Sequence, residues 1–546
     1  MIDISELKDL ISGEVETSDE ALAAASRDAS IFEVRPRAVV HPKDAEDLKK
    51  LVRYAADHGD VNLTARAAGT DMSGGPLTES IVVSFLEHFD RIKKVVDGYA
   101  VTEPGVYYRD FEKATLDKGG QIMPSYPASR ELCTVGGMVA NDAGGEKTLT
   151  YGKTERYVRR LKMVCADGEE YEFKPLKPAE LEEKKKLESF EGQIYRKTQA
   201  LIDSNRELIE SARPIVPKNS CGYSLWNVYD RGKGTFDLTR LITGSQGTLG
   251  LLTEIEFALV RPKPYSHLLV VFLKSLDHLG ETASSILRHK PDSFESYDDQ
   301  TFKVAIKFLP QLIRQMKGNI ITLGLEFLPE MIAVLDGGVP KLVLLAEFTA
   351  DTDREALEKA LNAQAALESL HQKTKVTKTA KDLAKYWVIR RESFNMLRQH
   401  VHGLRTAPFI DDFVVPPAAL PEFLPKLYAI LDPYKKDLTY TIAGHVGDGN
   451  FHIIPLMDLD LGKSHHIIEE LSIKVYELVH AFRGSITGEH NDGIIRTPFV
   501  KMQYGEEVVR LFEETKKIWD PKSIFNPGKK VGGTLEYAMA HIVRTP

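Results

Sequence analysis

The stretch from Tyr440 to Pro455 carries two histidines on either side of a turn. Asp448-Gly449 is a dipeptide favoured in two-residue hairpin loops, where positive φ is required. Counting outward from it pairs Gly447 with Asn450, Val446 with Phe451 and His445 with His452. Directly opposed residues project from one face with Cβ atoms roughly 5 Å apart, so two imidazoles can share a metal ion. Gly488-Glu489-His490 offers a carboxylate to complete the set, with a third imidazole beside it. Three ligands, His445, His452 and Glu489, leave positions open, as in a catalytic rather than a structural divalent site. Imidazole ligands favour zinc or manganese over magnesium. The alternative at this stage is a surface hairpin that happens to carry histidines.

A second region combines glycine with small polar residues. Arg66-Ala67-Ala68-Gly69-Thr70-Asp71-Met72-Ser73-Gly74-Gly75 lies between apolar runs at Val61, Leu63 and at Ile81 to Phe85. It reads as a loop between strands, whose backbone N–H groups converge without Cβ interference and bind phosphate oxygens. No helix is expected after it, so it is not the dinucleotide fingerprint. Further on, Pro124 to Ser129 leads into Thr134 to Gly145, where two Gly-Gly pairs imply backbone lying close to a flat ligand.

Both regions need a framework. Residues 1–35 suggest one or two small helices, with Ser18 capping an alanine-rich turn. From Asp44, apolar residues at Ala45, Leu48, Leu51, Val52 and Ala55 follow helical spacing and stop before Gly59, which suits a left-handed C-cap. Strand patterns recur at 37–40, 81–85, 99–101 and 161–164, and the charge-dense run 175–211 reads as a solvated surface excursion. Beyond Ser266, strands alternate with long helices, which suggests a sheet with helices on one face.

At 546 residues the chain exceeds one ordinary core. A net charge of -8 without a lysine-rich tract argues against a nucleic-acid partner. Cys133, Cys165 and Cys221 are scattered, which excludes a disulfide framework and an iron–sulfur ligand set on this chain. Neither a signal peptide nor a membrane span is visible, so a cytoplasmic protein is expected, with peripheral membrane association left open.

The loop at 66–75, Pro124 to Gly145, Leu241 to Gly250, the histidine hairpin, Gly488-Glu489-His490 and Phe525-Asn526-Pro527-Gly528-Lys529 occur in an order that resembles the FAD-linked D-lactate and glycolate dehydrogenases of the vanillyl-alcohol-oxidase superfamily. The resemblance runs from about Ile31 to Val531. It implies an α+β fold: an N-terminal helical segment (1–35), a PCMH-type FAD-binding domain (36–263), a substrate or cap domain with an antiparallel sheet and the metal site (264–498), and a C-terminal helix and tail returning to the flavin (499–546). The loop from Arg66 through Ala67, Ala68, Gly69, Thr70 and Asp71 to Ser73 would hold the pyrophosphate. Pro127, Ser129, Thr134, Gly137, Asn141, Gly144 and Tyr151 would hold the ring, with Asn526 and Lys529 closing from the C-terminus. Thr70 stands where covalently flavinylated relatives carry histidine, so noncovalent FAD is expected. Arg390 would bind the substrate carboxylate, Asn450 would contact substrate, and His490 would be the catalytic base. The implied reaction oxidises a small D-2-hydroxy acid to the 2-oxo acid. Electrons would pass to a separate quinone, electron-transfer flavoprotein or iron–sulfur subunit, and a homodimer is left open.

Several positions depart from the family pattern. Asn491-Asp492 replaces Gly-Ile after the histidine, Gln246 replaces glutamate, and Ile410 stands where some relatives have a lysine. Two alternatives follow from the same resemblance: a non-redox transferase of the alkyl-dihydroxyacetone-phosphate synthase type, and a flavin-binding electron-transfer subunit.

Overall fold

The computed structural model describes residues 4–307, 338–400 and 404–543. Residues 1–3, 308–337, 401–403 and 544–546, which belong to the predicted segments, lie outside the described residues. The N-terminal half holds two sheets. In the first, strands Ala38–His41, Ile81–Ser84 and Leu63–Arg66 run parallel, and Glu14–Glu16 adds antiparallel at the edge. The leading segment is therefore not purely helical: its helices Ile4–Leu10 and Asp19–Ala25 flank that edge strand, and Ser18 caps the second. Helix Ala45–Asp57 forms as its spacing predicts, with the Asp44 carboxylate accepting from the N–H groups of Glu46 and Asp47. Its end differs, because His58 is extended and Gly59 is not among the residues with positive φ.

The second sheet is antiparallel, in the order Ile92–Val96, Tyr99–Thr102, Leu251–Ala258, Val158–Val164, Glu170–Phe173. The excursion at 175–211 is only partly solvated. Helix Pro178–Lys186 buries Leu181 alone, whereas Phe190–Ser204 buries Ile194, Tyr195, Leu201 and Ile202. Tyr195 stacks beside Phe173, which in turn meets Trp519 of helix Val500–Trp519.

The second half is built on a seven-stranded antiparallel sheet, in the order Lys373–Val376, Tyr265–Leu273, Leu342–Ala350, Ser293–Asp298, Ile442–His445, Asn450–Ile453, Phe413–Val414. Helices cover both of its faces, not one. Leu269, Val271, Leu344 and Ala346 pack with Ala360 and Ala363 of helix Asp353–Ala365. The alternate residues Leu268, Val270, Val343 and Leu345 pack with Tyr386, Trp387 and Ile389 of helix Ala380–His400. Unbroken apolar runs such as Leu342–Leu345 are the mark of strands buried on both sides. The C-terminal tail then returns to the first half, where the Asn526 N–H donates to the Leu63 carbonyl and the Leu63 N–H to that of Ile524.

Candidate active site

The histidine hairpin forms in a different register from the one predicted. His445 pairs with Asn450, Gly444 with Phe451 and Ala443 with His452, around a 3-10 turn at Val446–Asp448 and a left-handed Gly449 at φ +67°. A Cβ at Gly449 would lie 1.8 Å from the Val415 carbonyl oxygen, so this glycine is required on two counts. The shift moves the pairing by two residues, and side chains alternate with a period of two, so both histidines keep one face. Their rings meet edge to face with centroids 5.2 Å apart.

Glu489 reaches them from another segment. Its Oε1 lies 3.2 Å from His445 Nε2 and 3.3 Å from His452 Nε2. The other nitrogen of each ring is held by a carboxylate: Glu295 Oε1 is 2.5 Å from His445 Nδ1, and Asp411 Oδ1 is 3.1 Å from His452 Nδ1. Carboxylates on the far nitrogens of ligating imidazoles fix tautomer and ring orientation, so the donor set fits a divalent cation at the point where Oε1 and both Nε2 atoms converge. A cation bound there would displace the proton that the same carboxylates favour on His452. Burial pulls the His452 imidazole down, but Asp411 and Glu489 overcome it and push it up to about 10. Burial likewise raises Glu295, yet His445 and Arg390 hold it down at about 2. Glu489 is held well below the usual carboxylate range, against its burial, by Lys218 and His445.

His490 follows Glu489 directly, and both side chains enter one site because the chain curls around Asp412. Asp412 Oδ2 accepts from the consecutive N–H groups of Gly488 (2.9 Å), Glu489 (2.9 Å) and His490 (2.7 Å), and from the Thr487 hydroxyl. Asn491 then adopts φ +70°, a left-handed conformation that asparagine tolerates. The Asp411 carboxylate orients two rings at once, with Oδ2 2.7 Å from His490 Nδ1 and the His452 and His490 rings stacked at 5.0 Å. Donor atoms of Asp412, His452, Glu489 and His490 also gather within 4.8 Å of one another. The four hydrogen bonds on Asp412 Oδ2 leave that oxygen no lone pair for a cation, and its Oδ1 takes the Asn450 amide, so the set His445, His452 and Glu489 is preferred.

Asn450 departs from its predicted role. It is fully buried and is not part of the cavity wall, with both amide protons spent on Asp412 Oδ1 and the Phe413 carbonyl and its Oδ1 accepting from Lys218. Arg390, on helix Ala380–His400, does face the cavity, with Nη2 3.2 Å from Glu295 Oε2. Sequence reasoning missed Glu295, Asp411, Asp412 and Lys218. Each comes from a segment with no motif spacing to the histidines, although a paired Asp411-Asp412 next to a buried strand was an available signal.

A cavity of about 470 Å³ joins this cluster to the glycine-rich loop. Its wall includes Ala67, Ala68, Gly69, Thr70, Asp71, Pro127, Ser129, Thr134, Gly137, Asn141 and Gly144 at one end, and Arg390, His445, His452, Glu489 and His490 at the other. Each Gly-Gly pair divides its work. Gly137 and Gly144 face the cavity, while a Cβ at Gly136 would sit 2.5 Å from Pro104 and one at Gly145 would sit 2.2 Å from the Tyr126 carbonyl oxygen. Asp71 shapes the loop by accepting from the N–H groups of Ser73 and Gly75 and from the Asn141 amide.

Five predicted contacts are not part of the wall. The Arg66 guanidinium is spent on the carbonyls of Ala24, Ala25 and Arg27, and Ser73 is buried against Asp71. Tyr151 is half-buried elsewhere, beside Tyr157. Asn526 donates to the carbonyls of Gly75 and Gln246, and buried Lys529 donates to that of Leu77. These residues support the loop from behind. Of the departures from the family pattern, Asn491, Asp492 and Ile410 are absorbed into the interior, whereas Gln246 also lines the cavity. Gln246 donates to Ser73 and Asn141 and accepts from the Gly493 N–H, roles a carboxylate cannot combine. Asn491 and Asp492 point at Gly244, Gly222 and Lys530, away from the cavity. Ile410 is fully buried.

Two family profiles match the chain: an FAD binding domain at residues 36–174, and the C-terminal domain of FAD linked oxidases at residues 263–530. The chain belongs to the FAD-linked oxidase family. Similar members include a D-2-hydroxyglutarate dehydrogenase of Pseudomonas putida, 28% identical over 95% of this chain and 50% of that protein. A D-lactate dehydrogenase of Archaeoglobus fulgidus is 27% identical over 91% of this chain and 93% of its own length. A glycolate oxidase subunit of Bacillus subtilis is 24% identical over 91% and 89%. The chain thus spans about half the length of the first of these relatives. Among solved structures, 4-ethylphenol oxidase from Gulosibacter chungangensis superposes with a TM-score of 0.69 at 16% identity, covering 98% of this chain and 97% of that one, a likeness of fold. No helix among the described residues is long and apolar enough to cross a membrane.

Thr70 lines the cavity, and the resemblance, which sets it in place of a flavin-linking histidine, leads to the expectation that acid precipitation of the purified protein leaves its yellow chromophore in the supernatant. Colour retained in the pellet would refute noncovalent attachment.

Proposed function

We propose that the chain oxidises a small D-2-hydroxy acid to the 2-oxo acid, using noncovalent FAD and one divalent cation, zinc or manganese. The observation that supports this reading is one cavity with the glycine-rich loop at one end and His445, His452, Glu489, His490 and Arg390 at the other. The names of similar proteins, D-2-hydroxyglutarate dehydrogenase, D-lactate dehydrogenase and glycolate oxidase subunit, share a 2-hydroxy carboxylate, and that unit is what these side chains can address.

FAD, when bound, supplies a hydride acceptor at N5. His445, His452 and Glu489 would hold a divalent cation, which would supply Lewis acidity toward the hydroxyl oxygen. Asp411 holds His490 by Nδ1, which leaves Nε2 as the proton acceptor, and its negative charge stabilises the imidazolium that results. Arg390 presents a planar fork suited to a carboxylate. A separate acceptor of the quinone, electron-transfer flavoprotein or iron–sulfur type would take up the electrons released by the oxidation.

The test is an anaerobic screen of D-2-hydroxy acids while flavin absorbance is recorded. Bleaching by D-lactate, glycolate or D-2-hydroxyglutarate supports the reading, and a flavin that no 2-hydroxy acid bleaches would sink it. Arg390→Lys keeps the charge beside Glu295 but loses the bidentate fork. It should raise the substrate concentration for half-maximal reduction about tenfold, with a smaller change in limiting rate.

A further inference from the structure

Lys218 belongs to the N-terminal half, yet its ammonium ends inside the histidine cluster of the C-terminal half. The side chain is fully buried, with Nζ 3.1 Å from Glu489 Oε2, 3.3 Å from Asp448 Oδ2 and 3.3 Å from Asn450 Oδ1. The two oxygens of Glu489 are thereby divided: Oε1 faces both imidazoles, and Oε2 faces the lysine. We infer that Lys218 is a positioning residue for the metal centre, holding Glu489 as a one-oxygen ligand so that a coordination position stays available to substrate. This rests on the metal-dependent reading above.

Three further features agree with that role. The segment after Lys218 is fastened to the back of the Glu489 turn, since the Ser220 N–H donates to the Thr487 carbonyl and the Ser220 hydroxyl to that of Gly488. Lys153 Nζ also donates to the Gly488 carbonyl, 3.0 Å away, so two lysines from the flavin side grip the residues at Glu489. Gly144 leaves room on the same side, where a Cβ would lie 2.9 Å from Glu489 Oε2. A carboxylate without the lysine is free to rotate and chelate through both oxygens, which fills one of the positions a catalytic site keeps open.

The test uses the full chain with FAD bound, stripped of metal by a chelator and titrated with Mn²⁺ while the free-ion paramagnetic resonance signal is followed. Wild type should bind about one equivalent, and Lys218→Met, which removes a nearby cation and frees Glu489 to chelate, should bind Mn²⁺ roughly tenfold more tightly while the bound ion relaxes water protons less, because one open position is lost. Lys218→Arg, which still presents a cation to Oε2, should return both readings to near wild type. The double variant Lys218→Met with Asp448→Asn removes one buried charge of each sign and serves if the single variant does not fold. It should show the same fall in water relaxation by the bound ion. A purely structural lysine would lower the melting temperature and leave Mn²⁺ affinity of the folded protein unchanged, which would overturn the inference. A wild type that binds no Mn²⁺, Zn²⁺ or Co²⁺ would instead overturn the metal reading on which it rests.

Discussion

His490→Ala should slow reduction of the flavin by a D-2-hydroxy acid about 10²- to 10⁴-fold in a single turnover, the range typical of general-base catalysis. FAD and metal content should stay at wild-type levels. The expectation follows from the division of labour among three imidazoles. His445 and His452 turn Nε2 toward Glu489 Oε1, whereas His490 shares the Asp411 carboxylate with His452 and lines the cavity without meeting Glu489 Oε1. Its removal leaves the ligand set intact and the curl around Asp412 in place, since that curl is held by backbone N–H groups. A variant that reduces at the wild-type rate with both cofactors bound would show that another group takes the proton, even if the family reading stands.

Removal of either ligand histidine should act differently. His445→Ala and His452→Ala should each lose about one equivalent of metal by elemental analysis, because binding depends on a complete ligand set. Activity should fall with the metal, while FAD is retained, since neither histidine shapes the glycine-rich loop. Each change also strips an imidazole from a buried carboxylate, Glu295 in one case and Asp411 in the other, so a lower melting temperature should accompany it. Arg390 still faces Glu295 after the first change, and His490 still faces Asp411 after the second, which limits that loss. Wild-type metal content in both variants would reduce the hairpin to a structural element.

Local spacing by itself determined much of this protein. The helix capped by Asp44, the strands on either side of the glycine-rich loop, and the histidine face of the hairpin all follow from periodicity and turn chemistry over a few residues. The hairpin is instructive because its register was misread and its chemistry survived. The four-residue turn at 446–449 displaced the pairing by two, and a period-two strand returns the same face after such a shift. The motif Gly488-Glu489-His490 was likewise visible, although the adjacency of its two functional residues posed a geometric problem.

Tertiary structure alone decided how that problem is solved and what surrounds the site. Asp412 curls the chain, Asp411 and Glu295 orient the imidazoles, and Lys218 arrives from the other half of the molecule. None has a spacing that announces it, because the contacts join segments as far apart as Lys218 and Glu489 and depend on how the two halves pack. The same applies to Asn450, for which the family resemblance implies a substrate contact, whereas packing turns its amide toward Asp412 and Lys218. Covering helices on both sheet faces were equally hidden, since an apolar run records burial but not which distant helix supplies it. Short-range patterns are set by backbone geometry, which repeats along the chain. Buried charges find their partners only after folding, when desolvation makes an unpaired carboxylate or ammonium too costly to leave alone.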